Sequence, residues 1–327
     1  MIITVTLNPS LDKTQAIERF VHGGMNRVLE SRQDIGGKGI NVSVALAGLG
    51  EPSVCLGFNF ERGASEIDKA FCNYGINNDF ILCPGKVRVN TKIFERDTGI
   101  MTEINEKGDV VSQDLFEALK AKIARYAGQA DIIVFSGSAP QGLKDECYAE
   151  LIGSARKSNP DINIVLDAEG LLLINGIKAG PNIIKPNVFE LETAFNVELD
   201  NYDQIVSLCR EIIWHEGIKT ICVSMGGEGA IITDAKNAYF APPLALNVKG
   251  LQGAGDSMVA GICLAIAHNK PLEEILRYAV AAASGSIERQ GTLLCTKKDF
   301  DRIYPGVTVQ DLTRAMPTTQ NRHSPRL

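Results

Sequence analysis

Six short apolar runs, at residues 2–7, 53–57, 131–136, 163–167, 182–185 and 220–224, alternate along this chain with segments of helical length and period. Strands that are apolar at nearly every position are covered on both faces, and the intervening helices are what covers them. The pattern therefore predicts an α/β fold of stacked β-α units around a mainly parallel sheet. Helices are expected at 39–49, 112–127, 144–157, 187–195, 202–215, 255–268 and 272–290. With 327 residues the chain is long enough for one large domain with a minor appendage.

Two stretches break the alternation. Residues 13–35 and 86–105 carry short strand patterns interleaved with polar residues, and no helix separates their halves. They predict a small separate sheet, a lid over the C-terminal edge of the main strands. The alternative is a pair of long loops. The main domain is expected over 1–305, with the lid segments inserted, and a flexible tail over 306–327.

Composition narrows the function classes. Apolar content of 45% with 22% charged residues is that of a globular protein, and a net charge of −6 weighs against nucleic-acid and acidic-membrane partners. The apolar stretch 258–267 is about half the length of a membrane span. The first residues read as a strand rather than a leader. None of the eight cysteines stands in a C-x-x-C pair, so buried free thiols in a reducing cytoplasm are expected rather than disulfides or zinc. The four histidines are scattered, which disfavours histidine-based catalysis.

The strongest local feature is Gly253-Ala254-Gly255-Asp256-Ser257, which leads into an apolar helical run. Amides at a helix start lack intrahelical partners and lie at the positive end of the dipole, so they can hold an anion. An aspartate there can be a plain helix cap. The small residues before it favour a second reading, in which the backbone is cleared for close approach of a ligand.

This segment resembles the C-terminal signature of the ribokinase-like (PfkB) carbohydrate kinases. Five further pieces follow that family's order: Asn8-Pro-Ser-Leu-Asp12, Gly36-Gly-Lys-Gly-Ile-Asn41, Ser136-Gly-Ser-Ala-Pro-Gln-Gly142, Lys185-Pro-Asn-Val-Phe-Glu190 and Val223-Ser-Met-Gly-Gly-Glu-Gly-Ala230. The resemblance spans about residues 1–305 and is greatest to the 1-phosphofructokinase, tagatose-6-phosphate kinase and minor 6-phosphofructokinase branch. It implies a three-layer α/β/α sandwich with a β lid, a homodimer formed through that lid, and a cytoplasmic enzyme that uses ATP and Mg²⁺. The reaction implied is phosphorylation of fructose 1-phosphate to fructose 1,6-bisphosphate, with tagatose 6-phosphate or fructose 6-phosphate as alternative acceptors. A sugar-phosphate-binding protein with little turnover is the alternative of another class.

The resemblance also implies roles residue by residue. Asp256 is the base, with the backbone of Gly253, Ala254 and Gly255 around the transferred phosphoryl group. Lys185, Asn187, Ser224, Gly226 and Gly229 belong to the nucleotide side. Glu190, with Asn187, organises Mg²⁺ through water. On the acceptor side stand Asp12, Gly37, Asn41, Asn90 and Ser138, and Arg27, Lys38, Arg88 and Lys92 are the cations expected near a phosphate the acceptor already carries. Two positions depart from the family pattern. Gly250-Leu251-Gln252 stands where a hydroxyl residue is usual, and Phe60 where a second glycine is usual.

Overall fold

The computed structural model describes residues 1–291 and 293–313. The chain opens with β1 (Ile2–Thr6), β2 (Ser10–Ile17), β3 (Glu30–Gly36), α1 (Lys38–Gly48), β4 (Ser53–Arg62), α2 (Ala64–Tyr74) and β5 (Asn77–Lys86). It continues through β6 (Arg88–Glu95), β7 (Met101–Asn105), α3 (Gln113–Ala127), β8 (Ile132–Ser136), α4 (Cys147–Ser158), β9 (Asn163–Asp167) and α5 (Gly170–Lys178). There follow β10 (Ile183–Ile184), α6 (Val188–Phe195), α7 (Tyr202–Glu216), β11 (Thr220–Ser224), β12 (Ala230–Thr233) and β13 (Ala238–Ala241). The last elements are α8 (Ala254–Ala267), α9 (Leu272–Ile287), α10 (Lys297–Ile303) and β14 (Gln310–Asp311).

The large sheet has ten strands in the order β14-β13-β12-β11-β10-β9-β8-β1-β4-β5. From β5 to β11 every pairing is parallel; β12, β13 and β14 add an antiparallel margin. Successive side chains of one strand point to opposite faces, and here each face has its own core. Ile133 and Phe135 of β8 pack with α2, α3, α4 and α7 residues such as Phe71, Leu119 and Leu151. Ile132 and Val134 pack with Leu46, Val259 and Ala281 of α1, α8 and α9. The result is three layers, helices on both sides of the sheet.

The lid is a second sheet, in the order β3-β2-β6-β7. β2 pairs antiparallel with β3 and parallel with β6, which puts Asp12 opposite both Asp34 and Asn90. Both broken stretches of the sequence are therefore strands of one sheet, not loops.

The expected tail is corrected in part. Gln310–Asp311 pairs with β13, and the Leu312 amide donates to the Ala238 carbonyl at 2.9 Å, so the chain is built into the sheet edge this far. The remainder of that expectation, residues 314–327, lies outside the described residues. No helix among the described residues is long and apolar enough to cross a membrane. Of the eight free cysteines, Cys72 is exposed and the others are buried.

Candidate active site

Parallel α/β sheets bind ligands outside the carboxyl ends of their strands, and most of the residues singled out above gather there. Ser136 ends β8, Asp167 ends β9, Lys185 follows β10 and Ser224 ends β11. β10 is only two residues long because Pro186 confines Lys185 to extended backbone and cannot itself donate to the ladder. Asn187 then starts α6 with a reciprocal capping box. Its side chain accepts from the Glu190 amide at 2.8 Å, and Glu190 Oε2 accepts from the Asn187 amide at 2.8 Å.

Among the helices that begin at this edge with no side-chain cap are α1 and α8. Gly37 caps α1 at φ 118°, and Gly253 caps α8 at φ 71°, conformations that glycine enters without strain. The Ala254 amide reaches the Leu251 carbonyl at 3.5 Å, the amides of Gly255 and Asp256 have no partner among the described residues, and no side chain larger than a methyl stands between Gly253 and Asp256. Asp256, only 7% exposed, accepts a 2.7 Å hydrogen bond on Oδ2 from Asn41 Nδ2 of α1. Burial, with the Asp167 carboxylate second, pushes its carboxyl up to about 6, against the pull of Lys38, Asn41 and Lys185.

Beneath this mouth lies a buried ionic knot. Asp167 Oδ1 stands 3.4 Å from Lys38 Nζ and 3.3 Å from Lys185 Nζ, and Oδ2 accepts from Ser136 Oγ at 3.1 Å. Burial works to raise the Asp167 carboxyl, but the ammonium groups of Lys185 and Lys38 outweigh it and the balance is downward. Lys38 is correspondingly raised, chiefly by Asp167. Glu190 moves up, burial outweighing Lys185 and the Asn187 amide.

On the lid, Asp12 is held from three sides. Lys92 Nζ donates to Oδ2 at 2.7 Å, and Asn90 Nδ2 and Ser10 Oγ donate to Oδ1 at 3.0 and 2.8 Å. A Cβ at Gly36 would sit 2.6 Å from that same Oδ1, so only glycine leaves the carboxylate its place. Arg88 donates from its two terminal nitrogens to the carbonyls of Glu106 and Asn8, each at 3.2 Å, while its buried Nε has no partner. Asn8 Nδ2 reaches the Lys107 and Ala139 carbonyls and Ser138 Oγ; Asn8 Oδ1 and Asn90 Oδ1 are also buried without partners.

Residues 5–299 match the family model of the pfkB family carbohydrate kinases. The chain belongs to that family. This kinase therefore transfers a phosphate to a hydroxyl of a sugar-type acceptor. It is 34% identical to a 1-phosphofructokinase of Borreliella burgdorferi, with 95% of this chain and 99% of that protein covered. It is 32% identical to a 1-phosphofructokinase of Bacillus subtilis, covering 95% of this chain and all of the relative. Among solved structures it is similar to the phosphofructokinase-2 of Escherichia coli in complex with substrates and products, at TM-score 0.88 and 29% identity over 94% of this chain and 99% of that one. The fold is ribokinase-like.

Lys38, expected near the acceptor's own phosphate, pairs with Asp167 on the sheet side. Lys92 is consumed by Asp12 and is not a free cation. Arg27 lies exposed on the connection between β2 and β3, and no hydrogen bond or ion pair ties it to these residues. Gly226 and Gly229 fall in the tight turn between β11 and β12; a Cβ at Gly229 would meet the Ala241 carbonyl at 2.1 Å. Phe60 is fully buried in the core near the end of β4, so the missing glycine leaves no gap. Asp167, Ser136 and Ser10 were not anticipated as members of Asp-centred networks, nor Asn8 as the partner of Ser138. Asp167 and Ser136 carry one sequence signal, a polar residue closing an apolar run.

Proposed function

We propose that this kinase transfers the γ-phosphoryl group of ATP to fructose 1-phosphate, giving ADP and fructose 1,6-bisphosphate. The observation that carries the transfer chemistry is Asp256: a shielded carboxylate at a bare helix start, beside two ammonium groups. Asp256 accepts the proton of the acceptor hydroxyl while that oxygen attacks the γ-phosphorus. The bond from phosphorus to the bridging oxygen breaks, and its electron pair leaves with ADP. Amides of Gly255 and Asp256 face the charge that develops on the phosphoryl oxygens. Asn41 aims the carboxylate.

The nucleotide fits this edge because the approach to α8 carries no bulk: a Cβ at Gly255 would come within 3.7 Å of Lys185 Nζ. Among the described residues no three His, Cys, Asp or Glu side chains form a metal-binding group. The capping box leaves Glu190 Oε1 free to accept from the waters of a cation and Asn187 Nδ2 free to donate to a phosphate oxygen. Mg²⁺, when bound, neutralises phosphate charge.

The acceptor assignment rests on relatives named 1-phosphofructokinase, at 30–34% identity along nearly their whole length. Arg88, with Asn8, Ser138, Asn90 and Asp12 around it, is the group proposed to take the acceptor. A second reading, fructose 6-phosphate, is favoured by similarity to an E. coli phosphofructokinase-2 solved with that sugar, TM-score 0.86 at 29% identity. ADP release measured across fructose 1-phosphate, fructose 6-phosphate, tagatose 6-phosphate and free fructose separates them. Fructose 1-phosphate is expected to give the highest kcat/KM, and Arg88→Met to raise its KM about tenfold or more. Preference for free fructose would overturn the reading.

A cytoplasmic homodimer joined through the lid completes the proposal. The lid exposes Val21, Met25, Val28, Leu29, Ile100 and Ile104, more apolar surface than a solitary sheet edge carries without a partner. Sedimentation should give a dimer that Met25→Asp shifts towards monomer; an unshifted species would place the contact elsewhere.

A further inference from the structure

Asp167 has no task in the mechanism above, yet it is the most deeply buried carboxylate at this edge, 1% exposed. It joins three segments that the chain brings from far apart. Lys38 is the first residue of α1, Lys185 follows β10, and Ser136 ends β8. Register alone puts Ser136 opposite Asp167. Both ammonium groups approach the same oxygen, Oδ1, at 3.4 and 3.3 Å. The Asp256 and Glu190 carboxylates act on the same two ammonium groups from further off. Each ammonium has three donors, and this contact uses one on each.

The free donors have a direction. About a third of the Lys38 side chain is exposed (34%), and the carboxylates that act on it after Asp167 are Asp256 and Glu190. None of its hydrogen bonds goes to the lid. Lys185 stands beside Gly255, whose missing side chain opens the start of α8 onto its ammonium. Both cations therefore border the Asp256 mouth.

We propose that Asp167 is a positioning residue that holds Lys38 and Lys185 side by side at the mouth of α8, where both contact the phosphoryl group in flight rather than the phosphate the acceptor already carries. This rests on the transfer chemistry assigned to Asp256. It gives Lys38 a different role from the one expected of a cation in a phosphosugar kinase. Transition-state contacts move kcat, whereas ground-state anchors of the acceptor move its KM.

The test is a cycle of Asp167→Asn, Lys38→Met and the double variant. Each single change is expected to lower kcat roughly 10²-fold, with the phosphoketose KM shifted less than about threefold. The double variant should be little worse than either single one, because both remove the same arrangement. Calorimetry without acceptor supplies a second readout: the ATP-to-ADP affinity ratio should fall about tenfold in each variant and recover in part with Lys38→Arg. A raised phosphoketose KM with kcat retained, or effects that multiply in the double variant, would overturn the proposal. Should Asp167→Asn fail to fold, an unchanged ATP-to-ADP ratio in Lys38→Met overturns it equally. A wild-type protein that turns over no ketose phosphate would instead count against the acceptor assignment, and the nucleotide ratio would still decide the role of Asp167.

Discussion

Asp256→Asn is expected to lower kcat by roughly 10²–10⁴-fold and to raise the melting temperature in the same protein. The loss would follow from removing the group proposed to take the acceptor proton, while the amides of α8 and the lid contacts stay in place, so the sugar-phosphate KM should change little. The gain follows from linkage. Burial holds the Asp256 carboxyl at about 6, above its ordinary 3.8. A group raised in the folded state contributes stability below its unfolded value and loses it as pH rises through the folded value. At pH 8 the ionised carboxylate therefore costs about 3 kcal/mol, which an amide does not. The stability advantage of the variant should be full above pH 6 and vanish below about pH 4. In the wild type, kcat/KM should fall tenfold per pH unit below about 6, as the base becomes protonated. Thermal melts and initial rates across pH 4–8 read both. A variant that is slower but not more stable at pH 8 would mean that Asp256 is not strained in the free enzyme.

The second large effect is expected at Lys92→Met. Asp12 and Lys92 form a buried pair, 2.7 Å apart, with Asn90 and Ser10 as further donors to the carboxylate. Removing one partner leaves an uncompensated buried charge, which costs about 3–5 kcal/mol. Much of that falls on the lid, because β2 and β6 pair directly through Thr14 and Lys92. The phosphosugar KM should rise together with the drop in urea midpoint. Adding Asp12→Asn should restore most of the stability but not the KM, since the lone charge is gone while the acceptor contact is not rebuilt. If Lys92→Met alone melts within about 1 kcal/mol of the wild type, the pair is not sealed from solvent as described.

Strands buried on both faces were easy to read, because β1, β8, β9 and β11 are almost wholly apolar and are bounded by polar residues. Helices whose period reaches one core, such as α3 and α7, were equally plain. α2 escaped because only Ile67 and Phe71 are buried along it and its boundaries are two glycines in left-handed backbone. In α5 the run Leu171-Leu-Leu-Ile imitates a strand, and α10 is only seven residues long. In the antiparallel margin, β13, four residues long, was missed.

At the site, the residues at chain-local features were legible: Asp256 at a helix start, Gly37 and Gly253 at positive φ, Asn187 with Glu190 three residues on. Pairings across the fold were not. Nothing along the sequence joins Lys38 to Asp167 or Lys92 to Asp12, so four side chains marked by charge alone were assigned by resemblance or passed over. Topology sets those contacts: β9 lies between β8 and β10, and β2 lies beside β6.

The most direct test follows the phosphorus itself. With MgATP and fructose 1-phosphate, ³¹P NMR should record fructose 1,6-bisphosphate and ADP appearing in equal amounts with the wild-type enzyme, and almost none over the same time with Asp256→Asn. Equal rates of bisphosphate formation by the two proteins would contradict the account.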